Sequence, residues 1–311
     1  MFASLVFLAA AQQIIIPLDR PKVIEQPRAP IESAGPLWAA ACEGSDDWTK
    51  PAPPVRIHGN TYLVGTCGIS SILITDPAGD VLIDGGPEAA ADIIADNVRR
   101  LGFRVTDIKY LLNSHEHFDH AGGLAKLQRL TGAQLVASPG QAEVLNSGVP
   151  SKDDPQAGVL KPFPPAHVDR VITNGQMIRI GNITVTATAT PGHTAGALTW
   201  HWGSCDAGVC RQIVYADSLT SVSNDKYRFS DHPLWVSAFR QSIAAVAKLD
   251  CDILLTPHPG ASNMPDRLVL GRPLLDTNAC RDYAANLTKQ LDDRLAKETP
   301  PSKTKPPKAK K

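Results

Sequence analysis

The stretch HEHFDH, residues 115–120, places three imidazoles and one carboxylate within six consecutive positions of the chain. A packed core rarely requires so many of these groups together, whereas a metal site does. Imidazole and carboxylate ligands suit zinc, and also iron, cobalt or manganese. Alternate positions project to a common side, and the final adjacent pair turns to another. The stretch therefore predicts ligands for two metal ions rather than one.

The flanking segments predict that this stretch is a loop between a strand and a helix. The apolar run 108–113 precedes it, and a segment with helical periodicity, 121–130, follows it. Two further histidines also follow strand-like runs: His193 in the turn TPGHT (190–194) and His258 in the turn TPHPG (256–260). Ligands of open α/β sheets gather at the carboxyl ends of strands. These histidines are candidates for the same site.

Strand-like and helical runs alternate along both halves of the chain. The second half is predicted to hold the strands 168–172, 177–180 and 183–188, then a hairpin around 204–210. Such an arrangement predicts an α+β fold, a four-layer αβ/βα sandwich of two packed mixed sheets with helices on the outer faces.

Composition shifts divide the chain into four parts. Residues 1–11 resemble the apolar part of a signal segment, although no basic residue precedes the run; a frayed N-terminus is the alternative. Residues 12–54 are rich in Pro and Ala and predict an N-terminal extension. Residues 55–298 form the predicted main domain, in which 147–167 is a long loop. The Pro- and Lys-rich tail 299–311 is predicted to be disordered.

The charge balance excludes some classes of partner. Lys plus Arg and Asp plus Glu each number 31, so no net field favours nucleic acid or an anionic membrane. We expect a monomer that acts on small molecules. A basic tail that contacts nucleic acid is the less favoured alternative.

The six cysteines allow about fifteen pairings. Cys205 and Cys210 close a tight loop and are the favoured pair. Chain order then suggests two further pairs, Cys42 with Cys67 and Cys251 with Cys280. Three disulfides would agree with an oxidising compartment; buried free thiols are the alternative.

Together these motifs identify a family resemblance. The segments DGG (84–86), HEHFDH (115–120), PGHT (191–194), ADSL (216–219) and PHPG (257–260) resemble the metallo-β-lactamase superfamily. Within it, the chain is similar to subclass B3 metallo-β-lactamases, from about Ile57 to Tyr283. Ser218 stands where other subclasses have a sulfur ligand, which favours B3.

The resemblance implies two zinc ions and a role for each site residue. Asp84 would orient ligands from beneath the site, and Ser218 and Thr220 would hydrogen-bond the carboxylate of a bound lactam. Glu116 would point away from the metals and is assigned no role, while Phe163 and Tyr227 are weaker candidates for substrate contact. The implied ligands of the first zinc are His115, His117 and His193. The implied ligands of the second zinc are Asp119, His120 and His258.

The implied activity is hydrolysis of the β-lactam amide bond, with a hydroxide that bridges the two zincs as nucleophile. Asp119 would be catalytic, since it can accept a hydrogen bond from the hydroxide. The resemblance also implies export to the periplasm, where such an enzyme confers antibiotic resistance.

Two alternatives stay open. The first is another dinuclear zinc hydrolase of the superfamily, a lactonase or a glyoxalase II-like thioesterase, because fold alone does not settle the substrate. Such an enzyme would use Asp217 as a ligand that bridges the two metals. A binding protein that has lost catalysis is less favoured, since the ligand set is complete.

Overall fold

A computed structural model describes residues 34–269 and 274–298. It contains two β-sheets. The first has seven strands in chain order: β1 Val55–His58, β2 Thr61–Leu63, β3 Ile72–Ile74, β4 Asp80–Ile83, β5 Ile108–Leu112, β6 Gln134–Ala137 and β7 Val168–Val171. The second has five strands in the spatial order β12-β11-β10-β9-β8: β8 Met177–Ile180, β9 Ile183–Ala189, β10 Leu198–Asp206, β11 Val209–Tyr215 and β12 Ile253–Leu255.

Helices flank both sheets. The α-helices are α1 Ala34–Cys42, α2 Ala90–Arg100, α3 Phe118–Ala121, α4 Leu124–Thr131, α5 Pro139–Ser147, α6 Pro233–Val246, α7 Met264–Val269 and α8 Ala279–Glu298. Short 3-10 turns occupy Val105–Asp107, Phe229–Asp231 and Pro259–Ser262.

Both sheets are mixed, as predicted. Strands β1 to β4 pair antiparallel and β4 to β7 pair parallel. In the second sheet β8 to β11 are antiparallel, while β12 joins β11 in parallel. The loops that carry the predicted ligands leave the C-terminal ends of β5, β9 and β12.

Three apolar clusters give the molecule four layers. Ile72 and Ile74 of β3 pack with Trp200 of β10 and Ile213 of β11 in a cluster between the sheets. The intervening Leu73 faces the other way, into a second cluster formed with helices α2, α4 and α5. A third cluster joins the second sheet to α6 and α8. Alternate side chains of a strand point to opposite faces, so these strands are buried on both sides. The predicted αβ/βα sandwich is confirmed.

Three expectations about elements were incomplete. Segment 168–172 was grouped with the second half, but β7 pairs in parallel with β6 and completes the first sheet. Chain order does not reveal this, because the α5 crossover returns the chain to the same sheet. Of the predicted helix 121–130, residue 121 ends α3 and residues 124–130 lie in α4, and helices α1 and α7 were not predicted.

The division between α3 and α4 follows from a close approach of backbones. A Cβ on Gly123 would lie 2.2 Å from the Gly85 carbonyl oxygen. The Gly123 N–H donates to the Gly86 oxygen at 2.9 Å, and the Gly85 N–H donates to the His120 oxygen at 2.8 Å. Glycine therefore lets the loop after β4 contact the loop after β5 directly.

Part of the predicted N-terminal extension is packed against the main domain. Trp38 of α1 is 1% exposed and belongs to the cluster between the sheets. The predicted signal segment 1–11, residues 12–33 of the extension and the tail 299–311 lie outside the described residues.

The cystine pairs of the structure are the ones suggested by chain order: Cys42–Cys67, Cys205–Cys210 and Cys251–Cys280. They account for all six cysteines of the sequence. Within residues 34–269 and 274–298, none of the helices combines the length and apolar character needed to span a bilayer.

Candidate metal centre

The six predicted ligands come together although the chain separates them by up to 143 positions (258 minus 115). His115 and His117 lie in the loop after β5, and Asp119 and His120 lie in α3 at the end of that loop. His193 follows β9 and His258 follows β12.

The first predicted set consists of His115, His117 and His193. Each offers one ligand atom, and these three atoms lie within 4.8 Å of one another. The three side chains are buried. Their rings meet edge to face, with centroids 4.8 Å apart for His115 with either neighbour.

Each histidine of the first set is hydrogen-bonded at the ring nitrogen that faces away from the site. His115 Nδ1 lies 2.8 Å from Asp217 Oδ1, and His117 Nε2 lies 3.0 Å from Asp154 Oδ2. His193 Nδ1 lies 3.0 Å from the Thr220 carbonyl oxygen. A bond at one ring nitrogen leaves the lone pair of the other nitrogen for a metal.

The atoms that this pattern leaves free are suited to a metal ion. His115 Nε2 is buried and has no hydrogen-bond partner among the described residues. An unpaired buried nitrogen costs free energy unless a ligand satisfies it. Three neutral imidazoles with room for a fourth ligand are the donor set of catalytic zinc sites. The residues present therefore fit the zinc that the sequence predicts.

The second predicted set also converges. Asp119 Oδ2 lies 3.1 Å from His120 Nε2 and 3.5 Å from His258 Nε2. The two histidine Nε2 atoms are 3.3 Å apart. Bonds of 2.0–2.1 Å to a tetrahedral zinc ion would separate its ligand atoms by about 3.3 Å. The second set thus has the dimensions of a zinc site.

Burial and neighbouring charges shift the pKa values of several predicted ligands, most of them toward the forms that bind metal. Burial lowers the pKa of His193 to about 3 and that of His258 to about 4, with neighbouring histidines adding to the effect. Burial alone would raise the pKa of Asp119, but the neighbouring histidines, His120 foremost, together outweigh burial and hold that pKa well below its usual range. Burial would lower the pKa of His120, but Asp119 and Asp84 outweigh it and raise that pKa to about 10, so a metal ion at the second set displaces a proton from His120. Neutral imidazoles and an ionised carboxylate are the forms that bind metal.

Asp84 lies beneath the second set. Its carboxylate accepts hydrogen bonds from the Ser114 N–H at 2.6 Å, the Ser114 hydroxyl at 2.7 Å and the Tyr215 hydroxyl at 2.7 Å. Asp84 Oδ2 is also 3.5 Å from His120 Nδ1. The backbone of Asp84 has φ 65°, which non-glycine residues adopt rarely. The bonds from Ser114 join Asp84 to the loop that carries His115.

Ser218 and Thr220 belong to the segment that backs the first set. The Ser218 hydroxyl is buried and has no hydrogen-bond partner in the described part of the chain. Thr220 Oγ1 lies 3.1 Å from His193 Nδ1, which can donate to it, so the hydroxyl proton stays available for another acceptor. Between them Leu219 has φ 44°, and such backbone strain concentrates at functional sites.

Glu116 differs from the sequence expectation. Its side chain was assigned no role, but it is buried and accepts hydrogen bonds from the Thr194 hydroxyl at 2.8 Å and the Gly196 N–H at 3.0 Å. It thereby joins the loop of His115 and His117 to the loop of His193. The position of Glu116 between two ligands was a usable signal, because neighbours of ligands often hold them in place.

The two aromatic candidates for substrate contact, Phe163 and Tyr227, lie in different surroundings. Phe163 is packed into the cluster between the first sheet and its helices. Tyr227 is stacked on His232 with ring centroids 4.5 Å apart. Sequence reasoning missed Trp48, whose ring lies 5.9 Å from that of His258.

Comparisons with known proteins agree with this geometry. A family model described as the metallo-beta-lactamase superfamily matches residues 64–258. The solved structure of the MIM-2 metallo-beta-lactamase is 50% identical, and the match covers 86% of this chain and 99% of that chain with a TM-score of 0.83. MIM-1 from Novosphingobium pentaromativorans is 48% identical, with 84% and 97% covered and a TM-score of 0.82.

A structure whose own subclass is stated is also similar. MEM-A1, a subclass B3 metallo-beta-lactamase from a soil metagenome library, is 44% identical, with 81% of this chain and 98% of that chain covered and a TM-score of 0.78. The chain belongs to the metallo-beta-lactamase superfamily and, within it, to the subclass B3 group.

Curated sequence relatives are more distant. The hydroxyacylglutathione hydrolase of Rhodospirillum rubrum is 25% identical over 130 residues, which are 42% of this chain and 41% of that protein. The match therefore spans less than half the length of that hydrolase.

Proposed function

We propose that this protein hydrolyses the β-lactam amide bond of penicillins, cephalosporins and carbapenems with two zinc ions, and thereby confers antibiotic resistance. The observation that carries the proposal is the position of Asp217. Its Oδ1 lies 2.8 Å from His115 Nδ1, the nitrogen that faces away from the first set. A lactonase or thioesterase of this superfamily would instead use Asp217 to bridge the metals.

The two ligand sets would hold the zinc ions. When bound, zinc supplies Lewis-acid chemistry: it polarises the lactam carbonyl and lowers the pKa of water to about 7. The protein's own contribution is to fix the tautomer and the orientation of the imidazoles, through Asp217, Asp154 and Thr220 on the first set.

Asp119 and the segment 218–220 have separate tasks in this proposal. Asp119 Oδ2 faces His120 and His258, which leaves Oδ1 to accept a hydrogen bond from the attacking water. The hydroxyls of Ser218 and Thr220 donate to the substrate carboxylate and orient the lactam. Such positioning lowers the barrier because the reacting groups are held close before reaction.

We also infer that the protein acts after export to the periplasm. The three cystine pairs support this inference, since disulfides persist in oxidising compartments. The mass shift on alkylation, with and without reductant, of the protein isolated from its host checks it; six free thiols would overturn it.

The decisive experiment is hydrolysis of a carbapenem by the zinc-loaded protein, followed by the ultraviolet absorbance of the lactam. We expect hydrolysis that EDTA abolishes and added zinc restores. A lactone and a glutathione thioester are assayed in parallel with the same preparation. Zinc-loaded protein that cleaves either of them, but no β-lactam, would overturn the proposal in favour of the other hydrolase class.

A further inference from the structure

We propose that Asp154 is a positioning residue for the first ligand set. It holds the ring of His117 so that Nδ1 is presented to the metal. Asp154 Oδ2 lies 3.0 Å from His117 Nε2, and both side chains are almost fully buried, at 4% and 5% exposure. A carboxylate at Nε2 favours the proton on that nitrogen, which keeps the lone pair on Nδ1. Nδ1 is then the nitrogen left for the metal.

The carboxylate of Asp154 is held in place by its own turn. Asp154 Oδ1 accepts a hydrogen bond from the Gln156 N–H at 2.7 Å. The Asp154 carbonyl oxygen accepts one from the Ala157 N–H at 2.9 Å. One carboxylate oxygen therefore stabilises the turn while the other contacts His117. Because both oxygens are engaged, Asp154 cannot rotate away from the histidine without losing the turn bond as well.

The turn of Asp154 is also bonded to the segment that backs His193. The Asn224 N–H donates to the Pro155 oxygen at 2.9 Å, and Asn224 Nδ2 donates to the Ala157 oxygen at 2.9 Å. Four positions before Asn224, Thr220 accepts the hydrogen bond from His193. Two ligands of the first set are thus supported by segments that are bonded to each other. The long loop 147–167 acts on the metal centre through this contact.

The inference rests on the metal centre of the proposed function but not on its β-lactam substrate. The variants are Asp154→Ala, which removes the acceptor, and Asp154→Asn, whose amide oxygen can still accept from Nε2–H. Asp153→Asn is the matched control, since Asp153 is the exposed neighbour with the same charge. Zinc affinity is measured by competition with a chromophoric chelator, and the thermal unfolding of the metal-free proteins is measured separately.

We expect the affinity for the more tightly bound zinc to fall about 10- to 100-fold in Asp154→Ala, as for other partners of metal-bound histidines. The fall is smaller in Asp154→Asn and absent in Asp153→Asn. The cobalt-substituted Asp154→Ala protein should show an altered absorption spectrum, which a purely structural residue would not produce. Any other order of affinities, or an unchanged cobalt spectrum, overturns the inference.

The two proposals fail separately. Parent protein that binds two zinc ions but cleaves no β-lactam overturns the proposed function, and the affinities of the Asp154 variants still decide the role of this residue. Parent protein that hydrolyses carbapenems, with Asp154→Ala equal to parent in zinc affinity, overturns the role of Asp154 alone.

Discussion

The two ligand sets of the metal centre differ in how completely hydrogen bonds hold their side chains. In the first set, each of the three histidines is hydrogen-bonded at the ring nitrogen that faces away from the site. In the second set, His120 Nδ1 is buried without a hydrogen bond among the described residues, 3.5 Å from Asp84. The side chain of His258 is 37% exposed. Ligands that are already oriented lose less entropy on binding, so the first set is the better preorganised of the two.

Removal of Asp119 tests the comparison most strongly. Asp119→Ala deletes the only carboxylate among the six predicted ligands and the proposed acceptor for the attacking water. We expect kcat to fall by roughly 100- to 10,000-fold, the usual contribution of a positioned acid or base. Zinc content should fall from about two to about one per chain, because the first set is untouched.

Steady-state kinetics and elemental analysis of the same preparation check both points. Full activity of Asp119→Ala would reject the catalytic role. Loss of both zinc ions would show that the two sets are not independent, which breaks the comparison.

The next prediction concerns Glu116, which joins the loop of His115 and His117 to the loop of His193. Glu116→Ala removes the acceptor for the Thr194 hydroxyl and the buried Gly196 N–H. An unsatisfied buried donor costs about 1–3 kcal/mol, so we expect the free energy of unfolding to fall by that amount. Glu116→Gln keeps an acceptor oxygen and is the control, with a smaller loss. Urea denaturation of the metal-free variants measures the difference; equal stabilities of Ala and Gln would contradict the structural role.

Stepwise metal removal addresses the difference between the sets directly. Because His258 is partly exposed and His120 is less well backed, we expect the second zinc to dissociate first, with an affinity weaker by about tenfold or more. A competition titration with a chromophoric chelator should show two phases. A single phase with two equivalents would mean that preorganisation does not separate the sites.

The smallest effect concerns a buried carboxylate outside both sets. This residue is Asp80, the first residue of β4, which lies at the opposite end of that strand from Asp84. Burial raises the pKa of Asp80 to about 6, and its Oδ2 has no hydrogen-bond partner in the described residues. The folded protein therefore holds this proton more tightly than the unfolded chain does, and its stability falls as the pH rises from about 4 to about 6.

Asp80→Asn removes this titration. Relative to the parent, the stability of the variant should rise between pH 4 and pH 6 and then level off. Thermal unfolding of both metal-free proteins across this range measures the change. A pH-independent difference would contradict the raised pKa, and a changed zinc affinity would mean that Asp80 acts on the metal centre after all.

Some features of the fold were accessible from the sequence because they depend on local periodicity. Strand β8 begins and ends at the predicted residues, since an apolar run bounded by turn residues defines a short strand. The membership of β7 in the first sheet was not accessible, because pairing between strands depends on the path of the chain through α5 and the loop 147–167. Helix α1 was also missed, although Trp38 is buried, since a Pro- and Ala-rich segment carries little periodic signal.

The sequence by itself determined the kind of site. The spacing of HEHFDH and the histidines at two further strand ends specify imidazole and carboxylate ligands at one edge of the sheets, since strand ends are encoded locally. Only the tertiary structure decided which groups hold those ligands. The partners of His115, His117 and His193 are 102, 37 and 27 residues away in the chain. A hydrogen bond requires a distance near 3 Å and a defined angle, and only the packing of remote segments provides both.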